Sequence, residues 1–276
     1  NSIILGYENR ILIFQNKKTN DMSNGNPKEF VKKLELQFPN FRLASISEKS
    51  DLHEALESGG TNEPQGFINN KSLVAFTANV SGQNRQDCLN STLLAQLVAD
   101  KMHPDEEDIE AWYKAFTHVL SKIGWIAPGK EFSKFETDQS MFEMENVVLD
   151  ILGATLSGSA IAIIAKTLGA LKKLSDSDNK LVMFEKNSHS LNKGSFQIAL
   201  ADETNGQVSM TMSMFHLSTS SNIKKIVFFK SAKDQSQMKF NANTFVLNPE
   251  IYGIVRMDIL QKIGDDSKDF IASLEF

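Results

Sequence analysis

Cysteine is almost absent. Cys88 is the only one in 276 residues, so neither an intramolecular disulfide nor a cysteine-based zinc cluster can form within the chain. A lone thiol suits a reducing compartment without requiring one. A surplus of positive charge is also missing. Lys and Arg number 29 against 34 Asp and Glu, for a net charge of −5 and a pI near 5.6. The lysine pairs (Lys17/Lys18, Lys32/Lys33, Lys172/Lys173, Lys224/Lys225) are scattered among acidic or polar neighbours, which disfavours nucleic acid as a partner. The chain also lacks a long uninterrupted apolar run. Its most apolar stretch, residues 151–174, is split by Ser157-Gly158-Ser159 and again by Lys166, so neither arm reaches the ~20 residues that a membrane-spanning helix needs.

Motifs of chemistry are scarce as well. The five histidines (His53, His103, His118, His189, His216) form no H-E-x-x-H and no close pair, so no metal site is expected. No glycine-rich phosphate loop and no G-x-S-x-G elbow occurs. The acidic clusters Asp105–Asp108 and Asp265-Asp266 lack calcium-loop spacing. No cofactor and no small-molecule ligand is evident. The start, "NSIILGYENRILIF", is not built as a signal peptide, because Glu8, Asn9 and Arg10 break its apolar run. The expected location is the cytoplasm, or outside the cell after removal of a leader preceding Asn1. Asn70, Asn79 and Asn90 begin glycosylation sequons, which occur often by chance.

What the chain does have is core material. Hydrophobic residues make up 41% and charged residues 23%, as in ordinary globular proteins. Nineteen Phe against three Tyr and two Trp point to aromatics used for burial. Residues 1–15 read as two short strands or one bent strand. Residues 17–27 form a polar loop, and Pro27 opens a helix with Phe30, Val31, Leu34 and Phe38 on one face. "SEKSDLHEALESGG" is a short helix stopped by glycines. "SLVAFTANV" is a strand, and two helices follow, over 81–102 and from the acidic turn 105–108 to Gly124. After a short strand near "EFSKFET" come two more helices, joined at Ser157-Gly158-Ser159. From Leu181 the period falls from 3.6 to 2, which predicts five strands: "LVMFEKN", "SFQIALADE", "QVSMTMSMFHL", "IKKIVFFKS" and "QMKFNANTFVL". "ETNGQ" is a hairpin turn between two of them. Asn248 and Pro249 open a last helix.

The expected fold is α+β: one layered domain over 1–276, helix-rich over 27–174 and sheet-rich over 181–247, with a C-terminal helix at 249–263. An antiparallel C-terminal meander has helices over one face. Ile161, Ile164, Leu168 and Leu171 form one stripe of the second central arm, and Ile163, Thr167, Ala170 and Leu174 another. That arm reads as a core helix buried on two sides, or as half of a hairpin that meets a membrane. Strands 206–247, with alternating Ser/Thr and apolar residues, suit a one-sided sheet and equally barrel strands. Met210, Met212 and Met214, with Met238, read as core. Cys88 lies near a helix start, where the dipole lowers a thiol's pKa, and His103 or His118 could supply a base. The alternative is a small buried residue.

At "SGQNRQDCLNSTLLAQLVADK" (81–101) and "VVLDILGA" (147–154) the chain resembles a family of bacterial and fungal α/β proteins. The resemblance continues through "FQIALADE" and "FVLNPEIYGIVR", so it covers residues 70–270. It implies no activity and no site residues. In size and mixed α/β content the chain is also similar to layered cytolysins and Erwinia-type virulence factors, an analogy of architecture. Two functions follow as expectations. One is a non-enzymatic, self-assembling structural protein, in which packing would hold the termini and loop 17–27. The other is a membrane-active or host-directed toxin. A cysteine-dependent enzyme using Cys88 is a third alternative.

Overall fold

The computed structural model describes residues 26–43, 63–105 and 108–276, apart from the side chain of Asp265. The expected N-terminal strands, most of loop 17–27, the helix near residue 53 with His53, and Glu106-Glu107 lie outside the described residues.

Helices begin where their caps stand. Helix α1 (Pro27–Lys33) is capped by Asn26, α2 (Gly82–Met102) by Ser81 and α3 (Ile109–Lys122) by Asp108. Each cap side chain accepts from a first-turn N–H that has no helical partner. Helix α4 (Met144–Gly153) and helix α5 (Gly158–Lys173, capped by Ser157) form a hairpin. Helix α6 (Asn179–Ser188) is capped by Asp178, and α7 (Pro249–Ile263) by Asn248.

Strands β1 (Gln65–Asn69), β2 (Ser72–Phe76), β7 (Lys193–Thr204), β8 (Gln207–Thr219), β10 (Ser236–Leu247), β3 (Trp125–Ile126) and β11 (Ile271–Leu274) form one sheet, in the order β11-β1-β2-β7-β8-β10-β3. Short β4 (Ser133–Lys134) joins it beside β10, and β6 (His189–Ser190) beside β7. Strands β5 (Met141–Glu143) and β9 (Lys230–Ala232) pair separately. The β7–β8–β10 meander is antiparallel, whereas β2 pairs with β7 in parallel. Asn205 and Gly206, at φ 52° and 76°, make the two-residue hairpin turn, as left-handed Asn-Gly turns do.

Alternation along the strands assigns the two faces. Met210, Met212 and Met214 share one face with Gln197, Ser72 and Asn69, and α2 covers it. Asn69 Nδ2 donates to Leu89 O at 2.9 Å, and Gln96 Nε2 donates to Ser72 Oγ at 2.9 Å. The opposite face carries Phe196, Ile198 and Phe215, and α5 packs over its Gly66 end, where Thr167 Cγ2 stands 3.0 Å from the place a Cβ would take. Helices therefore cover both faces, which corrects the expectation that they cover one.

Other expectations are corrected too. "LVMFEKN" is not a strand but part of α6, which buries Leu181, Phe184 and Ser188 at helical spacing. "IKKIVFFKS" is an irregular strap, with only Lys230–Ala232 extended. Full-length pairing between β8 and β10 leaves no place between them for another strand. Helix α1 stops at Lys33, because the chain turns extended at Leu34 and Gln37 N donates to Leu97 O at 3.0 Å. Met238 pairs with Leu217 and lies on the opposite face from the methionine stripe. The stripe itself is buried, as expected of core.

Candidate functional site

The α4–α5 hairpin is the first candidate. Ile164, Leu168 and Leu171 are fully buried, and Ile161 is half-buried. Of the second stripe, Thr167 and Ala170 are buried, and Ile163 and Leu174 half-buried. Ala162, Ala165 and Lys166 are exposed, so α5 is not a helix buried all round. It lies as an outer layer with a broad apolar underside. Ile164, Leu168, Leu171, Val147, Val148 and Leu152 are all buried. At roughly 1.5–3 kcal/mol per buried side chain, six such residues contribute on the order of 9–18 kcal/mol. Water cannot replace that burial, but an apolar medium can.

The hairpin's outer tip is unusual in another way. From Ile151 to Ala165 no residue is charged, although eight of these fifteen residues are exposed. Among the described residues, no helix is long and apolar enough to cross a membrane.

The strap between β8 and β9 ties the hairpin down. Phe229 O accepts from Met144 N at 3.0 Å, at the start of α4. Lys230 Nζ lies 2.5 Å from Glu143 Oε1, and Lys225 Nζ 2.6 Å from Asp176 Oδ1. The hydrogen bond from Lys225, with its charge, holds the Asp176 carboxyl below its usual range. Lys172 Nζ sits 5.2 Å from the Phe228 ring centroid. Glu185 Oε2 accepts from Ile226 N at 2.9 Å. His189 Nε2 lies 3.0 Å from the same oxygen, but off the axis a hydrogen bond needs. The largely exposed Lys230–Glu143 and Lys225–Asp176 pairs position the strap, while the apolar underside supplies the strength.

Cys88 is fully buried in α2. Desolvation, then the charges of Asp87 and Glu203, push its thiol up, opposite to the lowering expected at a helix start. His103 caps the far end of the same helix, fifteen residues and about 22 Å away at the helical rise. His118 is half-buried, edge-on to Phe30, and burial and Lys122 push its pKa down. His216 falls on the methionine face, its Nδ1 2.9 Å from Ser195 Oγ. Among the described residues, no group of three or more His, Cys, Asp or Glu is placed to hold a metal ion. Asp108 serves as a helix cap, and Asp266 pairs with Arg42 at 3.1 Å.

A second candidate was not legible in the sequence. A cavity of about 420 Å³ opens where the end of α2, the start of α3, the end of α6 and the segment 37–41 converge on the sheet. Lys71 and Asp100 lie in its wall, with Nζ and Oδ1 2.5 Å apart. Trp112 Nε1 donates to the same oxygen at 2.6 Å, and Lys71 Nζ sits 4.8 Å from the Trp112 ring centroid. Ser195 brings the Ser195–His216 contact to the edge of the space. These residues are far apart in sequence and share no motif.

No family model and no curated protein matches the chain. Three solved structures are loosely similar. A delta-endotoxin aligns at TM-score 0.38 and 15% identity, over 65% of this chain and 81% of that one. The activated Cyt2Ba monomer of Bacillus thuringiensis subsp. israelensis aligns at TM-score 0.40 and 9% identity, over 65% and 98%. The Evf virulence factor aligns at TM-score 0.34 and 11% identity, over 79% and 89%. Likenesses this loose fit a distant analogy of architecture and assign neither family nor activity.

Proposed function

We propose that the protein is membrane-active, of the toxin or virulence kind, and that the α4–α5 hairpin is the part that meets lipid. The uncharged exposed tip, residues 151–165, carries this reading. Such a surface loses little on leaving water, because no charge there must be desolvated. Once lifted, the underside with Ile164, Leu168 and Leu171 would exchange sheet for acyl chains. The arms would lie in the interface rather than span it.

Leakage of dye from phosphatidylcholine vesicles, with and without phosphatidylglycerol, tests the proposal. A charge at Ile164 would also unfold the helix's packing, since that residue is fully buried. Ala162 and Ala165 are exposed, so Ala162→Glu and Ala165→Glu leave the fold intact. Each is expected to lower leakage several-fold with an unchanged circular dichroism spectrum. Unchanged leakage by both folded variants would remove the hairpin from the mechanism.

Self-association is a second reading, favoured by exposed Ile254 and Met257, one turn apart on α7. Light scattering across a concentration series tests it. A mass that grows with concentration and returns to the monomer in Ile254→Lys would support it. A constant mass of one chain would refute it.

A further inference from the structure

The cavity between α2, α3, α6 and segment 37–41 is unrelated to the hairpin and has its own chemistry. We propose that it binds a small neutral polyhydroxylated ligand, a sugar.

Two charges in its wall, Lys71 and Asp100, are matched to each other, and Lys186 Nζ lies 5.7 Å from the Phe41 ring centroid. Lys71 Nζ is held by Asp100 at 2.5 Å and lies against the Trp112 ring. Their side chains are only 14% and 18% exposed. A phosphate drawn to Lys71 would have to separate it from Asp100, and a quaternary ammonium drawn to Trp112 would have to displace Lys71 from the indole. Both exchanges break a partly buried pair, which is costly. A neutral ligand leaves the pair in place and hydrogen-bonds to its outer side.

The remaining wall offers donors and acceptors together. Asn40 and Gln37 bring amides, and Ser195 a hydroxyl already tied to His216. Hydroxyl groups both donate and accept, so a polyol can answer such a set without a net charge. Ser188, also in the wall, is 3% exposed, and its Oγ has no partner among the described residues. A buried hydroxyl without a partner costs stability, which a ligand hydroxyl would recover. Apolar surface lies beside these groups, from Phe38, Phe41 and Met214. Sugar rings present C–H faces as well as hydroxyls, and this mixture of a few polar groups on an apolar wall is how small-ligand sites are built.

Saturation-transfer NMR and calorimetry on the full chain test the proposal. The probes are glucose, galactose, mannose, N-acetylglucosamine, lactose and maltose, with inorganic phosphate and choline as charged controls. At least one sugar is expected to saturate, with a Kd of about 1 mM or tighter, a range usual for small polar ligands. Asn40 is exposed on the 37–41 segment, so Asn40→Trp fills the cavity without touching the core and should abolish binding. Ser188→Ala should weaken it several-fold without lowering the melting temperature of the unliganded protein, since it removes an unpartnered buried hydroxyl. Sugar binding that survives both folded variants would overturn the location. Preferential binding of phosphate or choline, lost in Asn40→Trp, would overturn the neutral-ligand argument. Absence of saturation by every sugar would overturn the proposal, and leakage activity would be unaffected by that result.

Discussion

Arg256→Ala is the sharpest test of how the helical layer over the methionine face is held. Asp87 on α2 is 1% exposed. Arg256 on α7 reaches it through Nε to Oδ1 at 3.0 Å and Nη2 to Oδ2 at 2.7 Å, a two-pronged contact. Beyond Arg256, Gln83 Nε2 donates to Oδ1 at 3.1 Å. Truncating Arg256 leaves a buried carboxylate with an amide as its remaining side-chain partner. Breaking a buried pair in this way costs about 3–5 kcal/mol. Arg256 is about one-third exposed, so about 2–3 kcal/mol is expected, read as a lower urea midpoint at constant slope. The pH dependence carries a sign. Burial raises the Asp87 pKa, outweighing the hydrogen bond and charge of Arg256 that lower it. A carboxyl whose pKa is raised on folding costs stability as pH rises through the window between its unfolded and folded values. Without Arg256 the folded value climbs further. The gap between variant and parent should therefore be full near neutrality and shrink as acid protonates Asp87. Adding Asp87→Asn should recover part of the loss. A gap under about 1 kcal/mol, or one that does not change on acidification, would refute the reasoning.

Three further outcomes follow from burial and close contact. Cys88 should resist an aromatic disulfide reagent in the folded protein and react at once in denaturant, because burial keeps its thiol protonated; rapid native-state labelling would contradict the structure. Cys88→Ala should also retain leakage activity if the hairpin is the active part. At Gly194 an added Cβ would stand 2.5 Å from both His189 Cβ and Ile226 Cδ1. Gly194→Ala should therefore lower the melting temperature by several degrees, whereas Gly158→Ala, with nothing within 4 Å, should not; equal melting temperatures would count against the packing of the strap.

Helices were readable where local chemistry decides them. Asp108, Ser157 and Asn248 stand within a few residues of apolar positions at helical spacing, and these three and Ser81 each accept from a first-turn N–H. The Asn205-Gly206 turn was readable for the same reason, since its left-handed backbone needs those residue types. "LVMFEKN" misled because seven residues alternate about as well as they wind, and Asp178 as a cap decides for the helix. Strands β1 and β11 went unread, since four or five residues carry too little pattern. Of the candidate sites, the hairpin was visible as an apolar stretch broken at Ser157-Gly158-Ser159. Its exposed, uncharged outer face was not.

Length, composition and local pattern by themselves determined an α+β chain with enough apolar residues for a core, capped helices, one tight hairpin, and no motif for metal or phosphate. These depend on contacts within a few residues, which a sequence displays directly. Tertiary structure alone decided the parallel pairing of β2 with β7, 125 residues apart at Ser72 and Gln197, and helices on both faces of the sheet. It also decided the burial of Cys88, the strap across the hairpin, and the cavity around Lys71 and Asp100. Each of these arises where distant segments compete for the same buried space. The winner there is set by packing and by pairing of polar groups, which no local window of sequence contains.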